Sequence, residues 1–315
     1  MLTVHETAAL LKGWDNILIL THIRPDGDTV GCAAALCAGL RALGKAAFLH
    51  PNPGLTRTTE PFFTPYAAPE TFAAEKIVSV DIATENLFPD NAALYKGRVD
   101  LAIDHHPSFE RFGKENIDRP EAAACGELLY DILAQLGPIT PEIALPLYVA
   151  VSTDCGCFAY SNTTARTHSV AAALMSAGID YRSVNKLCFR TKTRVRMQLE
   201  AAMLRGAEFY DKGRIALMSV PLSLMEELSA TESDTEELSS LGGQIEGVDC
   251  AVTLRELKPG EWKISLRTGE RVNATKVCQL YGGGGHAAAA GCTIYGTFEE
   301  ARRQILSGVA QIADS

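Results

Sequence analysis

The stretch that decides the fold is Val99-Asp100-Leu101-Ala102-Ile103-Asp104-His105-His106, an apolar segment that ends in one acidic and two imidazole side chains. The same arrangement occurs twice earlier in the chain. Ile17–Leu20 leads into a turn, residues 21–28, that holds a histidine and two aspartates, and residues 77–80 lead into Asp81. Ligands bind outside the carboxyl ends of the strands in an open parallel sheet, so we expect these side chains to converge on one pocket.

Short apolar runs alternate with helical patterns through the first half of the chain, which predicts an α/β fold with a doubly wound, mainly parallel sheet over residues 1–185. Residues 186–207 predict one basic connecting helix, whose charges either bind substrate or are simply solvated. The composition then changes, and residues 208–315 predict a smaller α/β domain, with an acidic surface segment at 226–237. We expect the active site in a cleft between the two domains.

The composition limits the classes of partner. The chain has 315 residues, with 38 acidic and 29 basic side chains and a formal net charge of −9, which argues against wrapping a long duplex nucleic acid. Residues 17–20 are too short to span a bilayer and no basic segment precedes them, so we expect a cytoplasmic protein without a membrane anchor. The nine cysteines include no C-x-x-C pair, which indicates reduced and buried thiols.

The acidic and imidazole residues indicate a metal site. His22, Asp26 and Asp28 share one turn, and buried carboxylates brought together need a bound cation. Two structural alternatives stay open at this point: Asp28 could only cap the helix that follows it, and Asp81 could be an ordinary turn residue. A thiolate site at Cys155 and 157 is a further alternative, but oxygen-ligated metals fit the neighbouring aspartates better.

In order and spacing, these residues resemble the DHH phosphoesterases. The first motif of that family corresponds to residues 22–28, the second to Asp81, the third to residues 104–106 and the fourth to residues 153–156. Gly283-Gly284-Gly285-His286-Ala287-Ala288-Ala289-Ala290-Gly291 matches the Gly-Gly-Gly-His-x-x-Ala-Ala-Gly signature of the C-terminal domain in one branch of the family. The chain length is similar to that of the group of oligoribonucleases and 3′-phosphoadenosine 5′-phosphate (PAP) phosphatases.

The resemblance implies a site with two divalent ions, with Mn²⁺ expected first and Mg²⁺ or Co²⁺ as alternatives. One ion would be bound by His22, Asp26 and Asp81. The other would be bound by four residues, with Asp81 shared between the two ions: Asp28, Asp81, His105 and Asp154. Asp104 would orient a ligand, and His106 would donate a hydrogen bond to the scissile phosphate. Cys32 and Cys155 stand where the family usually has serine and threonine.

Substrate recognition is assigned by the same resemblance to the C-terminal domain, through Arg267, Gly283, Gly284, Gly285 and His286. Arginine suits bidentate phosphate binding, and glycine allows backbone N–H groups to approach an anion. Taken alone, the glycine run could be a flexible turn, and Arg267 an exposed residue at a strand end.

The activity implied is metal-assisted hydrolysis of short oligoribonucleotides, linear dinucleotides such as pApA, or PAP. An inorganic pyrophosphatase is disfavoured, because the lysine-rich signature of that group is not found in the chain. A non-catalytic nucleotide-binding regulator is the alternative from another class, although such a protein should have lost ligands. The sequence leaves the oligomeric state open and allows a homodimer.

Overall fold

The structure, a computed structural model, describes residues 1–235 and 238–313. It divides into two compact units, the first comprising Met1–Thr191 and the second beginning at Lys192. Each unit has its own sheet and its own hydrophobic core. In the described part of the chain, no helix combines the length and the apolar character that crossing a lipid bilayer requires.

The first unit is built on five strands: β1 (Ile17–Leu20), β2 (Ala47–Leu49), β3 (Lys76–Val80), β4 (Leu101–Asp104) and β5 (Glu115–Asp118). They form a parallel sheet in the order β2-β1-β3-β4-β5, which confirms the predicted sheet type. The chain leaves β1 to one side for β2 and returns on its other side as β3. At such a switch point the connections diverge and leave a crevice at the carboxyl ends of the strands, where ligands bind.

Helices surround this sheet: α1 (Val4–Gly13), α2 (Gly27–Ala42), α3 (Glu60–Phe63), α4 (Cys125–Leu136), α5 (Pro141–Asp154), α6 (Ala165–Ser176) and α7 (Tyr181–Phe189). Helices on both sides of a parallel sheet are what the alternating pattern of the first half predicts. Strand β5 was not predicted because its sequence, Glu-Asn-Ile-Asp, is polar and only Ile117 is fully buried at this sheet edge.

Close packing of α2 against α5 sets the geometry below the carboxyl edge of the sheet. A Cβ atom on Gly31 would lie 2.3 Å from the carbonyl oxygen of Pro146 and 2.7 Å from the nitrogen of Ala150, so only glycine lets the two backbones approach this closely. A Cβ on Gly27 would lie 2.3 Å from Thr153 Oγ1. The end of α5 therefore lies beside the first turn of α2.

The described residues of the second unit form six strands and four helices: β6 (Glu208–Tyr210), β7 (Ile215–Val220), β8 (Cys250–Lys258), β9 (Glu261–Thr268), β10 (Gly284–His286), β11 (Ala289–Tyr295), α8 (Arg194–Arg205), α9 (Leu222–Glu227), α10 (Ala274–Gln279) and α11 (Phe298–Ala313). The strand order is β10-β11-β9-β8-β7-β6. The β7–β8 pair is parallel and the other pairs are antiparallel. The two-domain α/β architecture expected from the sequence is thus present.

The expected single helix over residues 186–207 is wrong, because two helices occupy this region. Helix α7 ends at Phe189, and α8 begins four residues after Arg190, at Arg194. Thr193 starts the new helix, since its side chain accepts a hydrogen bond from the backbone nitrogen of Arg196 at 2.9 Å. Helix α8 packs against strand β7 of the second unit through apolar side chains of both elements: Leu199, Met203, Met218 and Val220.

The described residues of the acidic segment at 226–237 include the end of one helix and a short turn. Helix α9 ends at Glu227, and a 3₁₀ turn follows at Glu232–Thr235. Residues 236 and 237 lie outside the described residues.

Candidate metal centre

The turn after β1 is organised by Asp26, which is the N-cap residue of α2. Its Oδ1 accepts hydrogen bonds from the backbone nitrogens of Asp28 and Thr29, at 3.0 and 3.1 Å. Its Oδ2 lies 3.6 Å from His22 Nε2. The helix therefore begins one residue before Asp28, and the alternative in which Asp28 is the cap of this helix is wrong.

Asp28 instead reaches a different helix. Its carboxylate is 1% exposed, with Oδ2 2.7 Å from the backbone nitrogen of Cys125 and Oδ1 3.1 Å from that of Gly126. The N-cap residue of α4, Ala124, has no side-chain acceptor, so Asp28 satisfies the first N–H groups of α4 from outside its own sequence. This contact explains why α4 begins at Cys125.

Asp81 directly follows β3 and has a left-handed backbone, with φ of 56°. Such a conformation is costly for a residue other than glycine and persists where the surrounding structure holds it. Here the backbone nitrogen of Asp81 donates to the carbonyl oxygen of Ile103 at 2.8 Å. The side chain is 2% exposed, and among the described residues its Oδ1 has no hydrogen-bond partner.

The segment after β4 is ordered around the buried side chain of Asp104. Its Oδ1 accepts hydrogen bonds from the backbone nitrogens of His105 and His106, at 2.5 and 2.7 Å, and from His106 Nδ1 at 2.7 Å. His105 Nδ1 donates to the carbonyl oxygen of Ala122 at 3.1 Å. In neutral His105 the other ring nitrogen, Nε2, therefore carries a lone pair, as a metal ligand must.

His105 Nε2 faces three carboxylates. It lies 3.5 Å from Asp81 Oδ1, 3.5 Å from Asp154 Oδ2 and 3.7 Å from Asp28 Oδ2. A lone pair pointing at carboxylate oxygens is repulsive unless a cation lies between them. The donor set of imidazole nitrogen and carboxylate oxygens, together with the unpartnered Asp81 Oδ1, therefore fits a divalent metal.

Asp154 comes to this cluster from the end of α5 rather than from a strand. The close contact of α5 with α2 carries it there, and Asn162 Nδ2 donates to its backbone oxygen at 3.1 Å and to that of Ala123 at 3.0 Å. Sequence reasoning did not single out Asn162. It lies in a polar stretch, Ser-Asn-Thr-Thr, where the sequence carries no sign of a contact made eight residues back.

The charges of the cluster oppose one another in the absence of a cation. Burial raises the pKa of Asp28 and of Asp81 well above the usual carboxyl value, and neighbouring carboxylates add to both shifts. Burial likewise raises the pKa of Asp154 to about 6, although His105 opposes the shift. The pKa of Asp26 is lowered to about 2, because His22 outweighs the desolvation that would raise it.

Three groups of these residues have ligand atoms that lie within 4.8 Å of one another: His22, Asp26 and Asp81; Asp28, His105 and Asp154; and Asp81, His105 and His106. These groups contain seven of the eight residues that the sequence nominated in the N-terminal half, and the eighth, Asp104, contacts them through its hydrogen bond to His106. Asp81 belongs to two of the groups, and His105 also belongs to two.

Arg267 and His286, two of the residues predicted to bind substrate in the second unit, share a face of its sheet. Ala289 pairs with Arg267 on one side and with His286 on the other, and directly paired residues point to the same face. Arg267 and His286 are therefore two strands apart, about 10 Å. Both have further contacts within the structure.

The glycine run is not the open loop that the sequence suggested. Gly284 and Gly285 belong to β10, and the backbone nitrogen of Gly283 donates to the carbonyl oxygen of Cys278 at 2.9 Å. Glycine is nevertheless required at 283, since a Cβ there would lie 2.2 Å from the carbonyl oxygen of Gly291. The N–H of Gly283 is thus used inside the domain rather than left for an anion.

Comparison with known proteins covers both units. Residues 16–151 match the model described as DHH family, N-terminal domain, and residues 218–314 match the DHHA1 domain. A protein of Thermus thermophilus named bifunctional oligoribonuclease and PAP phosphatase NrnA is 30% identical, over 96% of this chain and 92% of that protein.

Two solved structures share the fold. An exopolyphosphatase-related protein from Bacteroides fragilis has a TM-score of 0.89 at 23% identity, covering 99% of this chain and 96% of that chain. RecJ of Thermus thermophilus in complex with Mn²⁺ has a TM-score of 0.52 at 15% identity, covering 99% of this chain and 54% of that chain.

Proposed function

Because this chain belongs to the DHH family, with a DHHA1 domain after its DHH domain, we propose that it hydrolyses short oligoribonucleotides, linear dinucleotides such as pApA, and PAP. The similarity to the NrnA of Thermus thermophilus spans nearly the full length of both proteins, so it includes both domains. The enzyme class is a hydrolase of phosphoester bonds. The net charge of −9 is compatible with a small phosphorylated substrate and argues against long duplex nucleic acid.

The observation that carries the proposal is the convergence of three aspartates on His105 Nε2, with Asp81 Oδ1 buried and lacking a hydrogen-bond partner among the described residues. A site of this kind is costly without cations. We assign His22, Asp26 and Asp81 to one divalent ion. We assign a second ion to four residues: Asp28, Asp81, His105 and Asp154. Mn²⁺ is the expected metal, with Mg²⁺ and Co²⁺ as alternatives.

Divalent ions held there would supply an acidified water as the nucleophile and positive charge beside the phosphoryl oxygens. The chain's own residues do the rest. Asp104 holds His106 through Nδ1, and although partial burial lowers the pKa of His106, this hydrogen bond raises it above its usual value overall. His106 in its cationic form donates from Nε2 to a phosphoryl oxygen.

We assign the far end of the substrate to the second domain. Arg267 provides a guanidinium for a terminal or bridging phosphate, and His286, on the same face of the sheet, provides a second donor. Gly284, two residues before His286 in β10, leaves that face open, since a Cβ there would meet no atom within 4 Å. Recognition at a distance from the reacting phosphate would favour short substrates.

Steady-state kinetics with purified protein and Mn²⁺ test this function. The substrates are pApA, short RNAs, PAP, cyclic dinucleotides and inorganic pyrophosphate. We expect the highest kcat/KM among pApA, short RNA and PAP. Pyrophosphate hydrolysis that far exceeds all three would assign the protein to the pyrophosphatases, and no turnover of any of them would favour a nucleotide-binding regulator.

A further inference from the structure

The carboxylate of Asp28 is held by three hydrogen-bond donors, of which two are backbone groups at the start of α4. The third is the thiol of Cys32, one turn further along α2, with Sγ 3.2 Å from Asp28 Oδ1. Cys32 is fully buried. Nothing in the proposed function uses this thiol, which is a side-chain donor, whereas the other two donors are backbone groups.

The direction of the Cys32 bond follows from charge. A thiolate in contact with a carboxylate would place two anions side by side in a buried site, so the thiol keeps its proton and donates it to Asp28. The thiol of Cys32 also lies next to that of Cys125, whose backbone nitrogen donates to the same carboxylate. The two cysteines therefore contact each other and Asp28 together.

We propose that Cys32 is a positioning residue, which fixes the rotation of the Asp28 carboxylate so that one oxygen is presented to the divalent ion that this residue helps to bind. The proposal rests on the metal assignment made under the proposed function. The two backbone donors come from one helix end and bind one oxygen each, so the thiol is a second donor to Oδ1. The thiol approaches Oδ1 from α2 itself, and so opposes rotation of the carboxylate about its bond to Cβ.

Loss of this bond should weaken metal binding, in addition to the loss of thermal stability that removing a buried thiol causes. Outer partners of metal ligands typically change metal affinity 10- to 100-fold when they are removed, and a thiol is a weak donor, so we expect the lower end of that range. Substrate affinity should not change, because Cys32 is buried beneath Asp28 and does not reach the surface. When Mn²⁺ is limiting, a variant without the thiol should therefore have a lower kcat than the wild type and an unchanged KM for the substrate.

The test is a titration of the metal-free protein with Mn²⁺, in which electron paramagnetic resonance measures the concentration of free ion at each step. We expect Cys32→Ala to bind one of two ions about tenfold more weakly and the other ion with unchanged affinity. Cys32→Ser should restore binding to the wild-type level, since a hydroxyl donates to a carboxylate more strongly than a thiol.

Cys37→Ala is the matched control. Cys37 lies on the same helix, is equally buried, and donates its thiol to the carbonyl oxygen of Ala47 at 3.0 Å, away from the cluster. This variant should bind both ions as the wild type does, and it should lose about as much thermal stability as Cys32→Ala.

Unchanged binding of both ions by Cys32→Ala would overturn the role of Cys32. An equal loss of Mn²⁺ affinity in Cys37→Ala would also overturn it. If Cys32→Ala does not fold, Cys32→Ser decides, because weaker binding by a variant that retains a donor contradicts the proposal. A wild-type protein that binds no Mn²⁺ would instead overturn the metal assignment itself, and with it the proposed function.

Discussion

Asp104 Oδ1 lies 2.7 Å from His106 Nδ1 and also accepts the backbone N–H groups of residues 105 and 106, so one carboxylate oxygen orders the whole segment after β4. The aspartate is completely buried, whereas the histidine is about a quarter exposed, at 28%. The bond thus connects a fixed anion inside the protein to a ring that solvent can reach. Such an arrangement sets both the orientation and the charge of the ring.

Replacing Asp104 by asparagine should lower the pKa of His106, because the interaction that raises it would lose its negative charge. The cationic form of His106 would then be lost at lower pH, and the alkaline limb of the kcat profile should move to lower pH. At neutral pH we expect kcat to fall about 10- to 100-fold. Asp118→Asn is the control, since Asp118 ends the neighbouring strand but pairs with Arg111. A profile that does not move in Asp104→Asn would exclude this role.

Asp154→Asn should abolish turnover and reduce Mn²⁺ binding from two ions to one while the fold is retained. Asparagine keeps one carbonyl oxygen but loses the charge that the cation requires. Circular dichroism and metal stoichiometry measured on the same sample separate loss of metal from loss of structure. Unchanged turnover would show that Asp154 does not take part in the reaction.

The same variant should be more stable than the wild type when metal is absent and the pH is high. The pKa of Asp154 is raised to about 6, so its contribution to stability is present below about pH 4 and is lost as the pH rises through 6. We expect Asp154→Asn to gain about 1–2 kcal/mol relative to the wild type over this range in urea unfolding with a chelator.

Asp180→Asn should change the stability of the fold in the opposite direction. Hydrogen bonds from Ser183 lower the pKa of Asp180, so its carboxylate stabilises the fold at neutral pH and the variant should lose stability there. Equal pH dependence of the two variants would contradict the raised pKa of Asp154.

Added Mn²⁺ should stabilise the protein against heat. Binding to the folded state alone adds about 2.7 kcal/mol when the free ion is at one hundred times its dissociation constant, and more when two ions bind. The Tm should therefore rise with Mn²⁺ and fall again with a chelator. Asp81→Asn should show little of this rise, because Asp81 belongs to two of the ligand groups. A Tm shift in Asp81→Asn equal to that of the wild type would argue against a shared ligand.

Arg267→Ala should raise KM for pApA with little change in kcat, since the guanidinium is assigned to binding rather than to the reacting phosphate. Arg303→Ala, an exposed position on α11, is the control and should leave both constants unchanged. An unaltered KM in Arg267→Ala would remove this residue from substrate recognition.

Much of the cluster was predictable because its members follow recognisable elements. His22 and Asp26 come after the first strand, Asp81 after the third and His105 after the fourth, and the carboxyl ends of parallel strands meet at one edge. The family motifs then specified which of several polar residues belong together. The local signals were weaker where the sequence is polar, which is why β5 was missed.

Other features depend on contacts between distant segments and could not be read from the sequence. Asp28 looked like a helix cap, and it is one, but for α4 instead of α2. The donors lie 97 and 98 positions away, and no pattern within α2 or α4 indicates that pairing. The bond from Cys32 to Asp28 likewise became visible only when the rotamers of both side chains were known.

By itself the sequence determined the parallel sheet of the first unit and the identity of the residues at its carboxyl edge, because hydrophobic periodicity and spacing along the chain are local properties. Tertiary structure alone decided which carboxylate oxygens already accept hydrogen bonds and which, such as Asp81 Oδ1, have no such partner among the described residues. It also placed Asp154 in the cluster, through a glycine contact between α2 and α5 that no side-chain pattern records. These outcomes depend on packing distances of a few ångströms between segments far apart in the chain, and only the folded backbone sets those distances.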